Sequence, residues 1–370
     1  MIHIQNETTK VTSQATNIEI RGGITIPRFI LGKMTNKDWE DEVKKHPNAP
    51  GYELVGYRSL ITGSAKTIDL VKDPTKILES KEKVIALHDK TSGIDGSSPL
   101  HRKPIGLVEH FIETGSQGSY MYAFDKHLGF NYRDAMKVVL DPENQERWGI
   151  WHELGHTYQV ESMNWYDLDE VAVNIFSMRA QKALGQRSRL EKNQDYTRIF
   201  KYLDQNQTKD FDQQDEFVRL GMFWQLELAF GEDFYPNLHR LYREEGKLLE
   251  TEQEKRQYFI LSASKISQTN LVPFFEKWGI QVTDATDKQL AQLPKLTKKI
   301  WEYRDEMNEN VGNITEGDDD NKEDIIEEWA NNKVYVGGDI VTYQGHKYRA
   351  KWWNLNKVPS MTIDWEKLDE

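Results

Sequence analysis

Apolar positions along the chain change their spacing near residue 140. Before it they recur mostly at every second residue. Ile18, Ile20, Ile24 and Ile26 alternate around Gly22-Gly23, which predicts a β-hairpin turned on glycine. Gly118-Ser119-Tyr120-Met121-Tyr122 alternates in the same way and predicts another strand, and the first hundred residues read mainly as β-structure. From about Asp141 to Tyr303 the spacing becomes helical. Asp141-Pro142-Glu143 predicts a helix start, with a capping oxygen ahead of a proline at the first helical position. Val218, Met222 and Leu226 predict an apolar helix that ends near Gly231. A second helix is expected from about Leu168 to Leu184, stopped by Gly185, and a third from Ser267 to Trp278, ended by Gly279. No internal repeat is visible. The expected class is α+β, β-rich to about residue 140 and mainly helical after it.

Charge adds a boundary that hydropathy alone does not show. The chain has 370 residues and a formal charge of −12, and Glu316 to Glu328 alone holds eight carboxylates and one lysine. Such a run repels itself and buries no apolar surface, so it reads as a solvated linker. After it the composition shifts: four of the eleven tryptophans (Trp329, Trp352, Trp353, Trp365) lie in the last 42 residues. The expected organisation is therefore a domain over 1–315, an acidic linker over 316–328 and a small all-β module over 329–370. The acidic balance argues against nucleic acid as a partner, since phosphate contacts need a basic face. No stretch approaches the ~18 consecutive apolar residues of a membrane span. The absence of cysteine excludes disulfides, thiolate zinc sites and cysteine nucleophiles together. Met1 to Asn6 shows no basic segment followed by an apolar core, so no signal sequence is expected in that stretch.

The densest chemistry lies in Trp148-Gly149-Ile150-Trp151-His152-Glu153-Leu154-Gly155-His156. On a helix, His152 and His156 project from one face, one turn apart, and both imidazoles can reach one Zn²⁺. Glu153, rotated by about 100°, falls beside the metal rather than on it, where a carboxylate can take a proton from water and hand it to a leaving amine. A third ligand is needed. Gln159 and Ser162 stand where a metzincin would have glycine and histidine, so that continuation fails. Glu170, fourteen residues after His156, is well placed on the next helix, with Asp169 as the alternative. A competing role for Glu170 is helix capping, because Asp167-x-x-Glu170 is a capping-box-like pattern. Six other histidines (His88, His101, His110, His127, His239, His346) lack partners at metal spacing and read as structural or surface residues.

The run Trp148 to Gln159, followed by Glu170-Val171-Ala172-Val173-Asn174-Ile175, resembles the enhancin-like, mucin-degrading family of gluzincin zinc metallopeptidases. Gly118 to Ala123, Phe217 to Leu220, Phe223 to Leu226 and Asn270 to Gly279 extend the similarity over about residues 15–305. The resemblance implies a zincin-like fold, one catalytic Zn²⁺, secretion or display at a cell surface, and mucin-type glycoprotein substrates. It assigns His152, His156 and Glu170 as ligands, Glu153 as general base and Asn174 as a supporting residue behind the ligand. Tyr158 or Tyr166 would donate to the oxyanion, and Trp148, Tyr158, Trp165 and Tyr166 are aromatic candidates for the cleft, although an aromatic at helical spacing is more often core. In zincin folds an edge strand lines that cleft, and Tyr120 to Phe124 is the expected one, with an interior strand as the alternative. Family members commonly carry a signal sequence and a preceding β-domain, whereas this chain starts near the peptidase's own first strands.

The last 42 residues have their own signature. Trp329, Tyr335, Val341, Tyr343, Tyr348 and Ala350-Lys351-Trp352-Trp353 resemble chitin-binding type-3 carbohydrate modules, which present aromatic rings to sugars. Trp352 and Trp353 are the expected platform with Tyr335 as a weaker partner, while Trp329 and Trp365 are expected to staple a domain with little core. The partner implied is chitin or another N-acetylhexosamine glycan. Two rival readings are a non-catalytic glycan-binding adhesin and a zinc peptidase for non-glycosylated proteins.

Overall fold

The computed structural model describes residues 22–104, 106–115, 119–125, 127–143, 147–305, 327–331, 334–335, 340–350, 354–355, 357–362 and 364–368. The fold is α+β. Backbone contacts divide the chain into two compact units, residues 1–89, 95–157 and 324–370 in one, and 90–94 and 158–323 in the other.

The first unit is built on a six-stranded sheet. In chain order its elements are β1 (Arg28–Ile30), α1 (Asn36–Lys45), β2 (Gly51–Val55), β3 (Ser59–Ser64), α2 (Pro74–Ser92), β4 (Glu109–Thr114), β5 (Met121–Phe124), β6 (His127–Asn131), α3 (Tyr132–Leu140) and α4 (Trp148–His156). The strand order is β1-β2-β3-β4-β6-β5. β1/β2, β3/β4 and β4/β6 run parallel, while β2/β3 and β5/β6 run antiparallel. The parallel steps need long crossovers, which the 19-residue helix α2 supplies between β3 and β4. Ile77, Leu78, Val84 and Ile85 are the buried face of that helix. It lies within the stretch whose pattern reads mainly as strands, because charged residues interrupt its apolar spacing, and three of them, Lys81, Glu82 and Asp89, are themselves buried. β5 is at the sheet's edge, which settles the alternative for Tyr120 to Phe124 in favour of the edge.

Two further expectations are corrected here. Residues 22–27 form no strand and Ile24 is 74 % exposed, so the described half of the proposed glycine hairpin is irregular chain; Ile18 and Ile20 lie outside the described residues. Asp141 does not open a helix. It ends α3, and its Oδ1 accepts the Glu143 N–H at 2.9 Å, so the capping oxygen serves a tight turn instead.

The second unit is helical: α5 (Asp169–Ala172), α6 (Asn174–Ala183), α7 (Arg189–Lys192), α8 (Asp195–Leu203), α9 (Glu216–Phe230), α10 (Phe234–Glu245), α11 (Glu252–Ile266), α12 (Val272–Lys277) and α13 (Asp284–Leu290). α9 ends at Gly231, whose φ of +80° is the left-handed value that favours glycine. The helix expected from Ser267 to Trp278 is shorter. Ser267 ends α11, and Asn270 Oδ1 accepts the Val272 N–H at 3.0 Å to start α12. In the core, Arg179 of α6 pairs with the buried Glu227 of α9 at 2.8 Å. Burial pushes the Glu227 carboxyl up while the guanidinium pulls it back down.

The C-terminal module contains a ribbon of β7 (Val334–Tyr335) with β10 (Asn354–Leu355). It also has a three-stranded antiparallel sheet of β8 (Ile340–Tyr343), β9 (His346–Ala350) and β11 (Trp365–Lys367). Tyr335, Val341, Tyr348, Ala350 and Trp365 form its core, with Trp329 and Tyr343 packed against it. No described helix is long and apolar enough to cross a membrane.

Candidate metal centre

Helix α4 buries Ile150, Trp151, Leu154 and Gly155 and leaves His152, Glu153 and His156 half-buried. That split follows from the 3.6-residue period: the apolar stripe faces the core, and the i, i+4 histidine pair falls beside it. Thr157 closes the helix by donating its hydroxyl to the Leu154 carbonyl at 2.9 Å. On the buried side, the fully buried His88 of α2 has Nε2 2.8 Å from the Trp151 carbonyl and Nδ1 3.0 Å from the Val84 carbonyl. A neutral imidazole has one N–H, and donated to the Trp151 carbonyl it ties α2 to the turn that carries His152, a role its sequence context does not reveal.

Burial pushes His88 down to about 4 and His239 of α10, equally enclosed, down to about 4 as well. Both are therefore neutral in the fold and bind a proton more readily when unfolded, whose ordinary value is ~6.5. The stability they hold is full above about pH 6.5 and falls as the pH drops towards 4, by up to about 3 kcal/mol each. Urea midpoints measured between pH 4.5 and 7 should show this slope, and His239→Leu should flatten its share. Parallel profiles for parent and variant would assign the slope to carboxylates instead.

The segment after α4 turns sharply before the second helix. Tyr166 and Asp167 both have left-handed backbone, with φ of +42° and +56°. The Tyr166 N–H is held by the Glu252 carboxylate at 2.7 Å, and the Arg256 guanidinium lies over the Tyr166 ring, 4.8 Å from its centre. α5 then starts with no side-chain capping bond, so the competing role for Glu170 as a capping-box member is not realised. Gln159 Nε2 donates to the Asp169 carbonyl at 2.6 Å. The buried Asn174 donates to the Glu170 carbonyl at 2.9 Å, fixing the turn on which Glu170 stands.

His152, His156 and Glu170 come together. One ligand atom from each lies within 4.8 Å of the other two, and among the described residues they are the group of at least three metal-ligating side chains so arranged. Asp169, the alternative carboxylate, is not in that group. The two histidine Nε2 atoms are 3.2 Å apart with their rings at 85°. Two nitrogens on one tetrahedral Zn²⁺ at ~2.0–2.1 Å sit about 3.3 Å apart, so the imidazoles stand at ligand spacing. Glu170 is exposed, and its side chain can close the rest by rotation. Two imidazoles and one carboxylate are a donor set that suits zinc with a position left open.

The other sequence candidates separate by burial. Trp165 is 1 % exposed and packs on Phe223 and Phe259, and Tyr158 is 4 % exposed against Phe176, so both are core residues rather than cleft walls. Tyr166 is exposed and Trp148 is half-buried. Tyr335, expected as a weak sugar platform, is buried at 2 %. Its ring meets Trp365 edge-on at 5.1 Å and its hydroxyl accepts the Ala330 N–H, so it belongs to the module's core. A 42-residue module has few places to hide apolar area, and its tyrosine is drawn inward. Trp352 and Trp353 lie outside the described residues.

Known proteins resemble both parts of the chain. Residues 328–366 match the model of carbohydrate-binding module family 5/12. TRPM8 channel-associated factor 3 of Rattus norvegicus is 23 % identical over 300 residues, covering 77 % of this chain and 31 % of the relative. The chain thus spans about a third of the length of the curated relatives it matches. The crystal structure of a functionally unknown conserved protein from Bacillus anthracis str. Ames superposes with a TM-score of 0.74 at 36 % identity, covering 80 % of this chain and 62 % of that one. The M60 catalytic domain of Clostridium perfringens ZmpC, solved with the sialyl T antigen, shares the fold with a TM-score of 0.65 at 19 % identity, over 90 % of this chain and 65 % of that one. The model of Peptidase M60, enhancin and enhancin-like, matches residues 22–279. Because that match takes in more than half of the chain, with the helix of the histidine pair and the turn of Glu170 inside it, the chain belongs to the enhancin and enhancin-like M60 peptidase family.

Proposed function

We propose that the chain is a zinc endopeptidase that hydrolyses peptide bonds in mucin-like O-glycosylated proteins at a cell surface or after secretion. The observation that carries this reading is the convergence of His152, His156 and Glu170 beside Glu153. Zinc held there would polarise the scissile carbonyl and make water a stronger acid. Glu153, half-buried next to the first histidine, takes the proton of the attacking water and returns it to the leaving amine. The open edge of β5 offers backbone groups with which an extended peptide can pair. Tyr166, the exposed member of the two tyrosine candidates, is the hydroxyl suited to the oxyanion. Support for a glycosylated substrate comes from the module match and from the fold relative solved with the sialyl T antigen.

A second reading is non-catalytic: the curated relatives are named as channel-associated factors, and a peptidase fold can serve as a scaffold. An intact Glu153 speaks against it, since a scaffold has no use for the base. A peptidase for non-glycosylated proteins would keep the mechanism and change only the substrate. Cleavage of one mucin-type substrate before and after enzymatic deglycosylation separates all three. Loss of cleavage on deglycosylation supports the proposal, equal cleavage supports the peptidase for plain proteins, and no cleavage supports the scaffold.

The module over 329–370, on the acidic linker 316–328, is proposed as an anchor to chitin or another N-acetylhexosamine glycan. An anchor of this kind raises the local concentration of the peptidase near its substrate without touching the reaction. Removing residues 316–370 should leave cleavage of a small soluble glycopeptide nearly unchanged and reduce action on an insoluble mucus or chitin-bearing matrix. Trp352→Ala with Trp353→Ala should imitate the truncation in both assays and in pull-down. Unchanged binding by the double variant would make that pair packing rather than platform.

A further inference from the structure

We propose that the first unit holds a small inorganic anion, a halide such as chloride, between the Lys81 amine, the Arg147 guanidinium and the first-turn N–H groups of α4. The inference stands apart from the peptidase reading and asks nothing of the metal.

Two cations are enclosed here without an acid. Lys81 of α2 is 1 % exposed, and Arg147, the residue that precedes α4, is 7 % exposed. The Lys81 amine donates to the neighbouring Ser80 hydroxyl at 3.2 Å, and the buried Arg147 Nε has no hydrogen-bond partner. Neither side chain makes an ion pair among the described residues. Elsewhere in the same unit the enclosed cations are neutralised: Arg58 pairs with Asp89, and Lys103 with Glu109. A buried charge left without a counter-charge is among the costliest features a core can carry.

The fold brings the two to one place. Lys81 precedes His88 by seven residues, two helical turns, and so projects from the same face of α2. Arg147 precedes Trp151 by four, and the His88 ring meets the Trp151 carbonyl at 2.8 Å. Burial, and after it the Arg147 charge, push the Lys81 amine down to about 7, so each cation lies within the field of the other. Asp141, exposed at the end of α3, is the acid that both feel, but its Oδ1 accepts the Glu143 N–H and it forms an ion pair with neither.

A third positive group is present at the same place. The first N–H groups of a helix have no partner inside it, and α4 starts with no side-chain cap. Its dipole adds about half a positive charge at that end. A cation ahead of a helix start is the opposite of what the dipole favours, and a second one buried beside it compounds the conflict. One anion resolves all of it, because amine, guanidinium and amides become donors to a single acceptor. With both cations more than nine-tenths buried, the space suits a monatomic ion rather than a phosphate or an organic acid. Such an ion would order the start of the helix whose next turn carries His152 and Glu153.

The test is thermal unfolding of the full chain in sodium chloride and in sodium methanesulfonate of equal ionic strength. Raising chloride from about 5 to about 500 mM should lift the Tm of the parent by about 2–5 °C over the methanesulfonate series. Lys81→Met keeps the volume of the stem, removes the charge and should lose that difference. A parent with no difference between the salts, or a variant with the same difference, would overturn the proposal. Should Lys81→Met fail to fold, the parent crystallised in sodium bromide decides. An anomalous peak between Lys81 Nζ and the Arg147 guanidinium supports the site, and the lack of one overturns it.

Discussion

Glu153→Ala is expected to abolish most peptide-bond hydrolysis, a loss of about 10²–10⁴-fold, while metal content and fold stay as in the parent. The expectation follows from position. Glu153 is adjacent to His152 but rotated about 100° around α4, so it stands beside the ligand set and outside it. The side chain is half-buried and the helix is anchored from below by Ile150, Trp151 and Leu154, so truncation removes a proton acceptor without opening a core cavity. Water can still enter, but its proton has no carboxylate to go to, and the leaving amine has no proton to receive. Single-turnover cleavage of a mucin-type glycopeptide, with elemental analysis and thermal unfolding of the same preparation, provides the check. Near-normal turnover in a metal-loaded Glu153→Ala protein would remove Glu153 from the mechanism.

Glu170→Gln is expected to reduce zinc content sharply, by more than the ~10–100-fold in affinity that follows loss of a group merely supporting a ligand. The substitution keeps size and hydrogen-bonding reach but exchanges a charged oxygen donor for a weak neutral one. The backbone that positions the residue is untouched, because Asn174 holds the Glu170 carbonyl rather than depending on its charge. Elemental analysis after dialysis against a mild chelator distinguishes the outcomes. Full zinc in the variant would move the third ligand to Asp169 or another carboxylate, with the histidine pair unaffected.

Much of this site was legible in the sequence because its chemistry is local. The histidine pair and Glu153 share one helix, whose periodicity fixes their relative directions before any tertiary contact is known. Glu170 needed one more inference, the turn after α4, and glycine stops such as Gly185 and Gly231 marked the ends of the helices on either side of that reading. What was misread depended on neighbours. Asp141-Pro142-Glu143 has the composition of a helix start, yet α3 already ends there and the aspartate serves the turn out of it. Tyr335 sits in a sugar-module signature, but burial in a small core outweighs that pattern. Trp165 and Tyr158, beside the metal motif in sequence, are inside the core in space, the more frequent fate of an aromatic at helical spacing. The edge position of β5 was a choice between two readings, since strand order follows from crossovers that alternation does not encode.

The contact between His88 and the Trp151 carbonyl ties the histidine pair to a part of the chain that carries none of its motif. The two residues stand 63 positions apart, yet the ring lies directly under the turn from which His152 projects. A close-packed interior passes a shift in one side chain on to its neighbours. A change in α2 that tilts or replaces this imidazole would therefore displace the pair while leaving every candidate ligand in the sequence. A descendant of this fold could keep an unbroken motif and lose its geometry, so an intact motif is by itself an incomplete warrant of function.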